Sequence, residues 1–200
     1  FVNPETGKSE HYATLNYLRM KGVKQHVICP DEEIEWMKGV IDSSPYPCVV
    51  ASHQSLEKDT FLTGNHLKAR QVFEDANRKC TGRVRLVMNG HAHTDNRRLI
   101  NNILYWDVNS ASYWYSMRPH SCYPEEYLKT HVSAKHSIAW TKPLSAVVTL
   151  DANGRITIEG AHADFLYGVS AEKAVGIRYD TVFCTIRPEI QDLDLTLHYS

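Results

Sequence analysis

Cysteine is scarce and its spacing carries no signature. The five residues, Cys29, Cys48, Cys80, Cys122 and Cys184, are odd in number and form no CxxC pair. Neither a disulfide framework nor a cysteine zinc site is signalled, and buried free thiols are the ordinary reading. No run approaches the ~20 apolar residues of a membrane span, and no Asn-x-Ser/Thr sequon occurs. An excess of one charge is also lacking. Lys+Arg number 22 against 23 Asp+Glu, for a net charge of -1, so no basic footprint points to nucleic acid or an anionic membrane. Repeats and low-complexity segments are absent. The start, Phe1-Val2-Asn3-Pro4, has neither the basic nor the apolar region of a signal peptide. It reads as the interior of a chain, from a processed form or a fragment, and the compartment is unknown.

What is present suffices for one globular domain: 200 residues, 42% hydrophobic and 22% charged. Eleven histidines are unusual, and they are spread along the chain rather than gathered in a tag. Lys24 to Cys29 reads as a short strand. Pro30-Asp31-Glu32-Glu33 opens a helix with proline and acids in the favoured first turn, and Ile34, Met37, Val40 and Ile41 recur as one apolar stripe. A strand over 48–52 follows, then a loop over 54–63. A second helix runs from about Asn65 to Lys79, with Leu67, Val72, Phe73 and Ala76 inward. Strands are expected over 84–89 and 103–108. Residues 110–140, rich in Tyr, Trp, His and Pro, read as an irregular or partly helical insertion. Asp151-Ala152-Asn153-Gly154 joins two further strands as a hairpin, and a final strand is expected within 193–199. The strand–helix–strand order indicates a layered α/β unit.

Two strand ends carry the chemistry. Cys48-Val49-Val50-Ala51-Ser52 ends in His53, and Val84 to Asn89 runs into Gly90-His91-Ala92-His93. In an extended segment His91 and His93 would point the same way, and Gly90 permits close approach or unusual torsions. Three neutral imidazoles suit Zn, Fe, Mn, Ni or Cu. Asp95 has two readings, a hydrogen bond that orients a ligand histidine or the start of the next turn. His120, His131 and His136 face substrate or are packed, and His162 is structural. Tyr113, Trp114 and Tyr115 wall a substrate pocket or pack a core or lid.

The lone His53 followed by Gly90-His91-Ala92-His93 resembles the calcineurin-like metallophosphoesterases, whose ordered motifs are DxH, GDxxD, GNH plus an acid, a lone His ending a strand, and GHxH. The helix over Glu33–Ile41 before the His53 strand and the run Asp107 to Ser112 also fit. The resemblance covers about residues 28–160. It implies a four-layer α/β/β/α sandwich, with 1–160 the carboxyl-terminal portion of the catalytic domain and 161–200 a variable tail packed on it. It implies a dinuclear centre of divalent Mn, Fe or Zn, with His53 and His91 on the second metal and His93 on the first. A metal-activated hydroxide would attack a phosphomonoester or phosphodiester substrate.

The departures are specific. No DxH precedes His53 and no GDxxD occurs. Gly64-Asn65-His66 follows His53, out of order, with Leu67 in place of the acid, and reads as a helix start capped near Asn65. The expectation is therefore a chain that lacks its amino-terminal metal ligands, is inactive alone, and forms homo-oligomers through surface the missing half would cover. Two alternatives stand beside it: a non-catalytic metal-binding or scaffold protein of the same fold, and a hydrolase with one metal held by three histidines.

Overall fold

A computed structural model describes residues 29, 31–56, 66–116, 118–177, 180–181 and 184–198. The strand expected over 24–29 lies outside the described residues except for Cys29, as does the cap at Asn65.

Helix α1, Asp31–Ser43, places Asp31, Glu32 and Glu33 in its first turn, against the positive end of the helix dipole. It buries Ile34 and Ile41, with Met37 half-buried between them. Val40, grouped with them by spacing, is exposed, because the inward stripe runs through positions 34, 37 and 41. Strand β1, Cys48–Ser52, follows after Pro47. Helix α2, His66–Lys79, buries Ala69, Val72, Phe73 and Ala76. Leu67, expected inward, is exposed, and Ala69 holds the inward place in the first turn.

Strands β2 (Val84–Asn89), β3 (Asp95–Ile100) and β4 (Ile103–Asp107) follow. Strand β3 was not expected from the sequence, because its Asn96-Arg97-Arg98 stretch reads as a polar loop. Ile100 pairs with Ile103, so Asn101 and Asn102 form a two-residue turn, both with positive φ (49° and 61°). Asparagine tolerates that conformation better than most residues, and the turn fixes the hairpin register. The 110–140 segment resolves into β5 (Tyr113–Tyr115), α3 (Glu125–Thr130), a 3₁₀ turn over Val132–His136 and β6 (Ser137–Ala139), with β5 and β6 antiparallel. Strands β7 (Val147–Leu150) and β8 (Arg155–Glu159) form the expected hairpin, followed by α4 (Ala171–Val175), β9 (Asp180–Thr181), β10 (Cys184–Thr185) and β11 (Leu193–Thr196).

The fold is mixed α/β. A six-stranded sheet runs β1-β2-β4-β3-β10-β9, with β1, β2 and β4 mutually parallel and the rest antiparallel, and a three-stranded sheet runs β11-β8-β7. The larger sheet has a core on each face. Val84, Val87, Ile103 and Tyr105 pack with Ile34, Ile41, Ala69, Val72 and Phe73 of the helices. Leu86, Leu104 and Trp106 pack on the other face with Trp114, Ile138, Ile156, Ile158 and Leu197. A bulge sets this division: Cys48 pairs with Val84 but Val49 with Leu86, so the extra residue Arg85 sends Val84 and Leu86 to opposite faces. Val169, Ala171, Ile186, Ile190 and Leu197 join that second core, so the described part of 161–200 packs on the same body. Cys29, Cys48, Cys80 and Cys122 are all free thiols, and burial beside Glu33 and Asp31 pushes the Cys29 thiol pKa up. Among the described residues, no helix is long and apolar enough to cross a membrane.

Candidate functional site

The site forms because β1 and β2 are adjacent and parallel, so their carboxyl ends deliver His53 and Gly90-His91-Ala92-His93 to one edge. Two further bonds tie those ends together. The Gly90 amide donates to the His53 carbonyl at 3.1 Å, and the Ser52 hydroxyl donates to Asn89 Oδ1 at 3.1 Å. Asn89 is buried, and its Oδ1 also accepts from the Leu56 amide at 3.4 Å, which draws the segment after His53 back over the sheet.

The glycine–histidine segment is a tight turn and not an extended strand end. The Ala92 amide donates to the Gly90 carbonyl at 2.7 Å, and His91 and His93 have φ of 64° and 53°. Left-handed torsions in two non-glycine residues are uncommon and concentrate at functional positions. The expectation that period-two alternation aligns the two rings is therefore corrected. Gly90 itself is not at positive φ. A methyl there would stand 3.4 Å from His53 Nδ1, ordinary contact, so the His53 ring lies directly against this backbone.

The turn sends its two histidines to different partners. His91 Nδ1 meets His53 Nε2 at 3.3 Å, with ring centroids 5.2 Å apart and planes at 82°. His93 Nδ1 meets the Tyr113 carbonyl oxygen at 2.8 Å. A carbonyl only accepts, so His93 Nδ1 carries the proton and its neutral ring presents the Nε2 lone pair. Burial, then the charges of His53 and His93, lower the His91 pKa. Burial also lowers that of His93, against the opposing pull of its Tyr113 bond and with a smaller push from His53. Both rings are thus held neutral, the form that donates to a metal.

In donor chemistry the residues fit a divalent ion: two imidazole nitrogens face each other, and a third ring has its tautomer fixed. In arrangement they give a pair. Among the described residues, no group of three or more His, Cys, Asp or Glu side chains is gathered as a metal ligand set. The three histidines are divided, with His53 and His91 together and His93 turned onto Tyr113, which does not give the single three-histidine cluster of the one-metal alternative.

Asp95 is committed elsewhere. Its Oδ1 accepts from Trp106 Nε1 at 2.7 Å, and its Oδ2 from the Gln191 amide at 2.9 Å and from Arg97 at 3.2 Å. Those partners make it a buried junction between β3, β4 and the segment before β11, rather than the orienter of a histidine. His120 is buried between the Ser137 carbonyl and the Cys122 amide, His131 stacks on Tyr127 at 4.3 Å, and His162 lies 3.4 Å from Glu189. None of these joins the His53–His91 pair. The residue that sequence reasoning missed is Tyr113 as the acceptor for His93. The available signal was its place at the start of the short strand that follows β4.

No protein-family model matches this chain, and no curated protein matches it.

Proposed function

We propose that this chain contributes the histidine side of a metal-dependent phosphoesterase acting on phosphomonoesters or phosphodiesters, within a four-layer α/β/β/α sandwich. The observation that carries the reading is the 3.3 Å approach of His91 Nδ1 to His53 Nε2 at the ends of adjacent parallel strands. Strand ends are rigid, and paired imidazole nitrogens suit Mn, Fe or Zn. His53 and His91 would hold one ion through those nitrogens, and His93, through Nε2, would face a second. The bound metal supplies Lewis acidity toward phosphate oxygens and activates water. The chain's own part is to hold the His91 and His93 rings neutral, to fix the His93 tautomer through Tyr113, and to keep the His53 ring against the Gly90 backbone. Self-association belongs to the same reading, since Trp36 and Val40, four residues apart on α1, are both exposed.

The test is hydrolysis of p-nitrophenyl phosphate and its bis ester, with added Mn or Zn, by the product of the native reading frame. Turnover lost in His53→Ala and His91→Ala supports the proposal. No turnover of either ester under any metal condition overturns it. The second reading, a non-catalytic metal-binding scaffold, is favoured by a pair of histidines where no group of three or more His, Cys, Asp or Glu side chains is gathered among the described residues. Metal binding without turnover is its signature.

A further inference from the structure

The side-chain rings of the two tyrosines beside His93 are not ligand groups, and their placement is specific. In β5, alternation sends Trp114 into the core and puts Tyr113 and Tyr115 together on the opposite face. Their hydroxyls are bonded, Tyr113 donating to Tyr115 at 2.8 Å, and the rings meet edge to face at 5.0 Å and 88°. The His93 ring completes the corner. It lies 4.8 Å from Tyr115, tilted by 30°, and 5.2 Å from Tyr113. Its bond to the Tyr113 carbonyl locks it there, so the corner is rigid before any ligand arrives. Yet Tyr115 is 51% exposed. Tyr115 is thus a large aromatic side chain held between His93 and Tyr113, beside candidate ligand histidines, and still exposed enough to meet a ligand ring.

We propose that Tyr113 and Tyr115 form a subsite for an aromatic ring carried by the phosphate ester, so that the substrates are esters of aromatic alcohols or nucleotides rather than of small aliphatic alcohols. The inference rests on the phosphoesterase reading of the same site and names its substrate class. A flat ring stacks on Tyr115 without needing hydrogen-bond readout, and such stacking strengthens binding about tenfold or more per ring. Tyr113 serves as a positioning residue. Its hydroxyl fixes Tyr115 and its carbonyl fixes His93, so ring and phosphate would be recognised by parts of one bonded unit.

The experiment is a titration of the ring-labelled tyrosine resonances of the whole chain, in the presence of Zn, with methyl phosphate, phenyl phosphate and AMP, and with adenosine alone. Phenyl phosphate and AMP are expected to shift the Tyr113 and Tyr115 resonances and to bind about tenfold more tightly than methyl phosphate. The tighter of the two distinguishes an aryl from a nucleotide source. Tyr115→Phe should keep the preference, and Tyr115→Ala should bring both ring esters down to the affinity of methyl phosphate. Equal affinities in the unsubstituted chain, or a preference that survives Tyr115→Ala, overturn the inference and leave the phosphoesterase reading standing. Adenosine shifting the tyrosines while methyl phosphate does not bind supports the ring subsite and contradicts the phosphate reading. No shift of either tyrosine by any ligand overturns the subsite.

Discussion

His91 and His53, 38 residues apart in the chain, bring Nδ1 and Nε2 within 3.3 Å of each other. One proton serves both atoms at that separation, so a second proton on the pair meets a like charge. This has a measurable consequence in the metal-free protein. The His91 pKa is lowered from 6.5, chiefly by burial and then by His53 and His93, and the His93 pKa is lowered too. Unfolded histidines take up protons near pH 6.5, while the folded ones do so at lower pH. Between those values the unfolded state binds more protons, so stability rises with pH. The contribution is therefore full well above pH 6.5 and is lost as pH falls below it, through the lowered values of the folded histidines. Urea midpoints measured with a chelator present should fall over that range, and His91→Ala should flatten the slope. A slope unchanged in His91→Ala would contradict the lowered His91 pKa.

Asp95 should matter to folding and not to metal. Its carboxylate is 3% exposed and serves Trp106, Gln191 and Arg97. Asp95→Ala strands a buried indole N–H and a backbone amide and removes the counter-charge of Arg97, which keeps its bonds to the Gln191 and Asp192 carbonyls, at a cost of about 3–5 kcal/mol. Thermal unfolding should show a large drop, with zinc affinity of the remaining folded protein unchanged. A loss of zinc affinity larger than the loss of stability would restore Asp95 as an orienter of a ligand histidine.

Two glycines make a matched pair of opposite sign. A methyl on Gly160 would lie 1.8 Å from the Ile190 carbonyl oxygen, backbone that cannot swing aside. Gly160→Ala should destabilise by roughly 1–3 kcal/mol or more. Gly39, inside α1, has nothing within 4 Å of the same methyl, so Gly39→Ala should stabilise by about 0.5–1 kcal/mol through helix propensity and reduced freedom of the unfolded chain. Differential scanning calorimetry separates them, since 1 kcal/mol moves Tm by roughly 2–4 °C at this size.

The local chemistry of the chain made most of the scaffold legible. Acids at 31–33, the apolar run at 48–52 and the Asp151–Gly154 turn each name one structure only. Strand β3 escaped because its buried polar residues, Asp95 and Asn96, bond partners distant in sequence, the Asp95 carboxylate Trp106 and Gln191 and the Asn96 Nδ2 group Asp107. The Asn101-Asn102 turn was its one local signal. At the site, the pairing of His53 with His91 follows from strand adjacency, which hydrophobic runs reveal. The turn at 90–93 does not, since left-handed φ at two histidines is imposed by the bonds around them. The resemblance already set His91 and His93 apart, but the Tyr113 carbonyl as the partner of His93 could be seen only in three dimensions.

Self-association has a direct readout. Multi-angle light scattering should find a species larger than the monomer, and Trp36→Ser with Val40→Ser should shift it toward monomer, because both side chains are exposed on α1. A monomer at all accessible concentrations would count against an apolar face on α1 that takes a partner.

Zinc binding followed by calorimetry, with His53→Ala, His91→Ala and His162→Ala compared, tests the central claim most directly. Loss of affinity by about 10–100-fold or more in His53→Ala and in His91→Ala, non-additive in the double variant, with His162→Ala unchanged, is the result that a paired-imidazole site requires. Zinc affinity that is indifferent to His53 and His91, or no zinc binding by the chain at all, would contradict it.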